Sequence, residues 1–530
     1  MGASWDPTAV QPPWGARASL YEHIQRHLQP GGHGLAAGGE RLPDEAPEPD
    51  DGGLRWAPGA MDGVLGHHVG EGDQAKAVDD VVTALSRAVR AADQASLEAL
   101  YAALKANSTI EIVDSILARI AGERDLQPDR IHALARWLAT RAADREPVKA
   151  GLALLGLIGQ AADEDVLLTL GRHEEFTLFA AVAVTNSSSH PDRLLWRLAK
   201  GVDGWGRIQT VERLAQTSDP EIKAWLLREG YRNSVMYEYL AYTCAVAGDL
   251  KSELARPEVD DALFDGASEL LATLIDGQGG PAEGIDDYES APAALESYLR
   301  HAQRYAQSLK HFLALKSIER FLAGDDGWDE RHEAGWSPEV RQRLLKQAVV
   351  IASRPGWSAK TSEALKSTDR AELWTATQSA RALGIDTWDE YFARVSAGED
   401  YWFQLVETSD QDRIGRALEL ALKLLPLEQI ATGPANQLGL GPGFTAHGHL
   451  DSVLQALTRF PRLGWPFIRA GMKSPVTRNR NLAIRALGAW PRADWPQEAE
   501  AYVRGCAAAE PDEKVRAWFE RLLAGQPLNP

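Results

Sequence analysis

A chain of 530 residues, 44% of them hydrophobic, is too long for one ordinary core, so it is either several domains or an array that grows by adding units. With 75 acidic residues against 56 basic ones and a formal net charge of -19, a general coat for nucleic acid or anionic membrane is excluded, because such a surface needs positive potential over a broad face. Cys244 and Cys506 are the only cysteines, no run of ~18 apolar residues occurs, and no basic-then-apolar leader opens the chain. The expectation is a protein of the cytoplasm with no membrane contact, and 42 Arg against 14 Lys points to a GC-rich bacterial genome.

In residues 1–77, Ser19 and Glu22 stand in capping-box spacing ahead of Leu20, Ile24 and Leu28, which predicts one short amphipathic helix. Residues 29–75, including "LPDEAPEPDDGG", bury too little apolar surface to offset their ordering entropy and read as an irregular arm. From Val78 nearly everything reads helical. Within 78–287, blocks beginning at Val148, Phe176, Trp205, Ser234 and Ala262 share one plan, their starts 28 or 29 residues apart. Each opens with an apolar-rich helix such as "VKAGLALLGLIG" or "FTLFAAVAVT". Four then supply a turn and a second helix, "DEDVLLTLG", "HPDRLLWRLA", "DPEIKAWLLRE" and "GDLKSELA", with acids near the helix start where the dipole favours them.

Residues 288–430 form a divergent section of longer amphipathic helices, for example "ALESYLRHAQRYAQSLKHFLALKSIERFL", with Leu295, Tyr298, Leu299, Ala302, Tyr305, Leu309, Phe312 and Leu313 on or near one face. Residues 431–530 join a Gly-rich loop to "RNRNLAIRALGAW" and "DEKVRAWFERLLAG", whose Ala483 and Leu487-Gly488 align with Gly151 and Leu155-Gly156. Two short helices cannot bury their apolar face alone, so neighbours must stack. The pattern resembles short HEAT (armadillo-type) repeats and implies an all-α fold, a HEAT-like α-solenoid of short two-helix repeats with an irregular N-terminal arm. No strand pattern supports a Rossmann, P-loop or α/β-hydrolase reading.

The least expected feature is basic. Between Asp451 and Asp494 there is no acid, while Arg459, Arg462, Arg469, Lys473, Arg478, Arg480, Arg485 and Arg492 supply eight positive charges. On a curved helical surface Arg469, Lys473, Arg478, Arg480, Arg485 and Arg492 could contact an acidic protein partner or phosphate oxygens. They could equally pair with acids elsewhere in the chain. In "GLGPGFTAHGHLDS", His447, His449 and Asp451 have HxHxD spacing, which in an extended segment turns three divalent-metal ligand types to one side. The order resembles the metal loop of metallo-β-lactamase-type hydrolases, although Ser452 stands where that family's next His would be. The ordinary alternative is a glycine-rich loop leading into a helix. His67 and His68 read as loop residues, because adjacent histidines in a strand point opposite ways. The glycines of "KGVDGWGRIQT" read as one helix end and the next start, with Trp205 packed and Arg207 exposed. Most of the 17 tryptophans are expected in the core.

Three stretches, "LRWAPGAMDGVLGHH", "GWGRIQTVERL" and "IATGPANQLGLGPG", resemble segments of a bacterial family some members of which carry the name limonene hydroxylase. That resemblance implies a monooxygenase drawing on haem, flavin, non-haem iron or a nicotinamide partner. No signature of those groups accompanies it, since neither cysteine has a haem-ligand context and no dinucleotide fingerprint follows a strand. The expected function is a scaffold that holds a macromolecular partner, most readily a protein. Three alternatives stand beside it: an enzyme of that hydroxylase-labelled family, a metal-assisted hydrolase or oxygenase at the HxHxD segment, and nucleic-acid binding on the basic strip.

Overall fold

A computed structural model describes residues 5–31, 34–45, 59, 75–280 and 282–528. Among these residues the fold is all-α: no strand forms, and only two isolated bridges occur, Leu28 with Leu35 and Gln437 with Val476. Two compact units divide the chain, with the boundary between Trp357 and Ser358. No described helix is long and apolar enough to cross a membrane.

In the first unit the expected capping residue works as such: Ser19 accepts the Glu22 N–H, and Leu20 and Ile24 are fully buried in the helix Leu20–His27. The block-opening segments form the helices Arg145–Ile158, Glu174–Ser187, Gly204–Glu212, Glu238–Ala247 and Asp261–Asp276. Each packs on the next, and the row continues through Leu309–Ala323 to Pro338–Ala352. Val148, Phe176, Ile208, Leu240 and Phe264 lie in the apolar seam between them. The long amphipathic stretch is broken into Ala291–Tyr305 and Leu309–Ala323, because Ser308 and His311 exchange side-chain and backbone hydrogen bonds that begin a new helix.

Local chemistry shifts two boundaries. The block at Ser234 becomes helical only at Glu238, since Asn233 Oδ1 accepts the N–H groups of Val235 and Met236 and holds a turn. The helix Pro220–Trp225 widens into a π turn over Leu226–Gly230. The helix Asp261–Asp276 presses on that turn so closely that a Cβ on Gly266 would lie 2.0 Å from the Leu227 carbonyl oxygen.

The described part of the arm is docked by charge as well as by apolar contact. Trp14 packs on Tyr101 and Trp137, and Leu42 is buried. Arg17 forks onto Asp144, which also accepts from Tyr101 Oη at 2.5 Å and pairs with Lys105 at 3.0 Å. Arg145 grips Asp44 through two nitrogens, each 3.1 Å away. These paired charges supply an anchorage that counting apolar residues overlooks.

The second unit gathers Trp388, Leu405, Ile414, Leu454, Phe467 and Phe519 in one core. Its closing helices are Thr445–Leu457, Trp465–Gly471, Thr477–Gly488, Ala499–Ala509 and Glu513–Leu523, the last capped by Asp512. The loop after Ile430 is tied down by Gln437 N–H to Pro475 O and Thr477 N–H to Gln437 O, both 3.2 Å.

Gly266→Ala should lower the stability of the first unit by about 3 kcal/mol, because the clash is with backbone that cannot swing aside. Gly122→Ala, where nothing lies within 4 Å, should be neutral or slightly stabilising. Urea midpoints for the two variants check this, and equal midpoints would contradict the tight approach at Leu227.

Candidate binding clefts and the basic segment

The basic segment separates into paired and unpaired cations. Arg480 is fully buried and forks onto Glu510, with Nε–Oε2 and Nη2–Oε1 both 2.8 Å, and its Nη1 donates to the carbonyls of Ala435, Ser474 and Pro475 at 2.7, 2.9 and 3.0 Å. The expectation that Arg480 meets a partner is corrected here: its position on the helix Thr477–Gly488 points inward, and every nitrogen is used. Arg478 pairs with Asp451 at 3.2 Å, Arg462 with Asp494 at 2.8 Å and Arg492 with Glu500 at 3.0 Å. Arg469, Lys473 and Arg485 are exposed and form no ion pair among the described residues. Aromatic rings hold two of them, Lys473 lying 5.0 Å from the Tyr502 ring centre and Arg485 4.8 Å from that of Trp518.

Arg485 and Arg492 share a cleft of about 630 Å³ with Trp490, Trp495 and Gln526, and none of the residues that line it is acidic. Arg492 lies 3.8 Å from the Trp495 ring centre, and the indole N–H groups of Trp490 and Trp495 are buried without a protein acceptor.

The HxHxD segment is not extended. It occupies the start of the helix Thr445–Leu457, where about 100° per residue puts His447 and Asp451 on one side and turns His449 to the other. His447 is buried with Nδ1 3.0 Å from both Ser474 Oγ and Asn479 Oδ1, while Asn479 donates to Asp451 at 2.6 Å. Burial raises the Asp451 carboxyl, against the pull of Asn479 and Arg478. His449 faces elsewhere, 3.0 Å from Asp400 and 5.9 Å from the Trp402 ring. The three side chains therefore do not converge, and no group of three or more His, Cys, Asp or Glu among the described residues is placed to share a metal. His67 and His68 lie outside the described residues.

A chemically richer cleft, of about 400 Å³, lies in the first unit, where sequence reasoning singled out only its glycines. Gly34, Leu35 and Glu40 of the arm form one side; Arg172, His173 and Glu174 before the helix Glu174–Ser187, Lys200 to Asp203, and Ser234 form the rest. His173 Nδ1 accepts the Glu175 N–H, which leaves Nε2 to donate to the Glu40 carbonyl at 3.1 Å. Burial drops this imidazole to about 4, so it is neutral at pH 7.

Neighbouring carboxyls diverge at this turn. Burial lifts Glu174 to about 7, with Asp203 and Glu40 adding to the rise against a hydrogen bond from the Gly206 amide. Glu175 is only partly exposed, but Lys149 and Arg145 hold it below its ordinary range against the effect of burial, the Lys149 ammonium standing 2.8 Å away. Two glycines make the fit close: a Cβ on Gly59 would lie 2.6 Å from the Glu174 carbonyl and one on Gly204 2.7 Å from its Oε2, both at positive φ. Arg207, expected to be exposed, is half-buried, with Nε on the Val202 carbonyl at 3.1 Å and its guanidinium 5.3 Å from the Trp225 ring. The one sequence signal for Glu174 was an acid at a helix start, which reads as ordinary dipole complementation.

Glu510→Ala should cost about 4 kcal/mol, since it leaves a buried guanidinium without its carboxylate, whereas Arg478→Ala at an exposed pair should cost under about 1 kcal/mol. Denaturant midpoints separate the two cases. Glu174 keeps its proton to about pH 7 folded, against an ordinary value of 4.5, so the folded state binds more protons between those values and this group's contribution to stability falls as pH rises through them. The Tm advantage of Glu174→Gln over the wild type should therefore grow from about pH 5 to about pH 8; parallel curves would place the carboxyl in water. No known family's sequence profile matches this chain, and no curated protein does.

Proposed function

We propose that this chain is a cytoplasmic, HEAT-like binding protein, an α-solenoid of short helical repeats that holds an acidic segment of a protein partner. The 28- or 29-residue spacing of the block starts and the packing of each opening helix on the next support the repeat reading. The observation that carries the partner reading is the set of Arg469, Lys473 and Arg485. In a segment whose other cations are largely engaged by the protein's own carboxylates, these three are left to solvent. Two of them stand on aromatic rings that limit their motion and lower the entropy cost of pairing with an incoming carboxylate. The adjoining cleft, with two guanidiniums and no acid in its wall, offers further contacts to the same kind of segment.

A fluorescein-labelled oligoglutamate peptide tests the reading by anisotropy. Arg469→Glu/Lys473→Glu/Arg485→Glu should weaken binding by on the order of 100-fold while leaving the helical circular-dichroism spectrum unchanged. Undiminished binding by the triple variant, or no binding by the wild type, would overturn it.

A further inference from the structure

The Glu174 cleft has walls of both signs and a volume in the range of small-molecule sites. Its acids come from three separate segments: Glu40 from the arm, Glu174 from the start of its helix, and Asp203 from the loop before Gly204. Its cations are Arg172, beside the histidine turn, and Lys200, whose ammonium is seated 3.5 Å from the Trp196 ring centre. A purely anionic ligand would meet three carboxyl groups, and a purely cationic one would meet a guanidinium and an ammonium. A molecule carrying both charges a few bonds apart satisfies the two sets together.

We propose that this cleft binds a small zwitterion of the amino-acid class, its ammonium received by Glu40, Glu174 and Asp203 and its carboxylate by Lys200 and Arg172. The site is rigid where it needs to be. Gly59 closes on the Glu174 main chain and Gly204 on its carboxyl, and His173 ties the arm to the turn through both ring nitrogens, as a pre-organised site requires. Asp203 is held through one oxygen by the Ser234 N–H at 2.9 Å.

Binding should also move a proton. The groups that face Glu174 are Glu40 from the arm, Asp203 at the cap of the helix Gly204–Glu212, the Gly206 amide and Arg207 within that helix, and His173 and Glu175 from its own turn. Among them the Glu174 carboxyl still carries its proton just below neutrality, and an arriving ammonium favours the carboxylate. The O–H bond of Glu174 breaks and its proton leaves to the buffer.

Isothermal titration calorimetry of the full chain with each of the common protein amino acids tests this, run at about pH 6 and about pH 8 in buffers of different ionisation enthalpy. At least one amino acid should bind with Kd below about 1 mM, releasing close to one proton per site at the lower pH and close to none at the higher. Asp203→Asn and Lys200→Ala should each weaken it at least tenfold, and Glu174→Gln should abolish the proton release. The site is independent of the acidic-segment reading, so Arg469→Glu/Lys473→Glu/Arg485→Glu should leave the titration unchanged. The proposal falls if no amino acid binds, if affinity is indifferent to Asp203→Asn and Lys200→Ala, or if putrescine or acetate binds as tightly as the best amino acid.

Discussion

The charges buried deepest in this protein are held by several partners at once, and that requirement decides how its ion pairs are spent. Arg480 is the clearest case. Its guanidinium sits wholly out of water, satisfied by the two oxygens of Glu510 and by three main-chain carbonyls, so one side chain fixes the loop at Ala435, the turn at Ser474 and Pro475, and the link between the helices Ala499–Ala509 and Glu513–Leu523, where Glu510 lies. Asp144 does comparable service in the first unit, gathering Arg17, Tyr101 and Lys105 and so fastening the arm. Net stabilisation from such pairs is modest; what they supply is position, because a partly satisfied alternative would leave a buried charge alone.

The same rule sorts the surface. Once Arg478, Arg462, Arg492 and Arg480 are matched with Asp451, Asp494, Glu500 and Glu510, and Arg459 is set on the Val406 carbonyl, the excess of the basic segment reduces to Arg469, Lys473 and Arg485. Glu174 and Glu175 show the complementary outcome, two adjacent carboxyls of which one has cations beside it and the other has mainly acids and amides. Environment alone sends their proton affinities in opposite directions.

What could be read from the sequence was what depends on near neighbours. Ser19 and Glu22 announce a helix start, and the recurrence of apolar openings announces helices that pack in a row, since both are set by contacts within a few turns. Asn233 hid its effect because its turn competes with a helix that the apolar pattern also permits. The HxHxD spacing misled for a simpler reason: its convergence assumed a period of two residues, and the segment has the helical period. Arg480 and Glu174 were illegible for a deeper one. The partner of Arg480 stands 30 residues further along, and the burial of Glu174 is created by an arm segment more than 100 residues earlier together with a later loop. Neither distance leaves a mark on local pattern.

Net charge bears on how the two clefts could work. At -19 the chain repels an acidic segment at long range, so attraction at Arg485 and its neighbours must come from short-range contact, where water is displaced and the aromatic ring under the guanidinium restricts its motion. Salt screens separations beyond a Debye length of about 10 Å more strongly than contacts of a few ångströms, and therefore removes the unfavourable part of the field ahead of the favourable part. A zwitterion entering beside Glu174 feels almost none of this, since its own charges cancel at a distance and are resolved only inside the cleft. The two sites thus differ in kind: one works against the field of the whole protein, and the other is nearly blind to it.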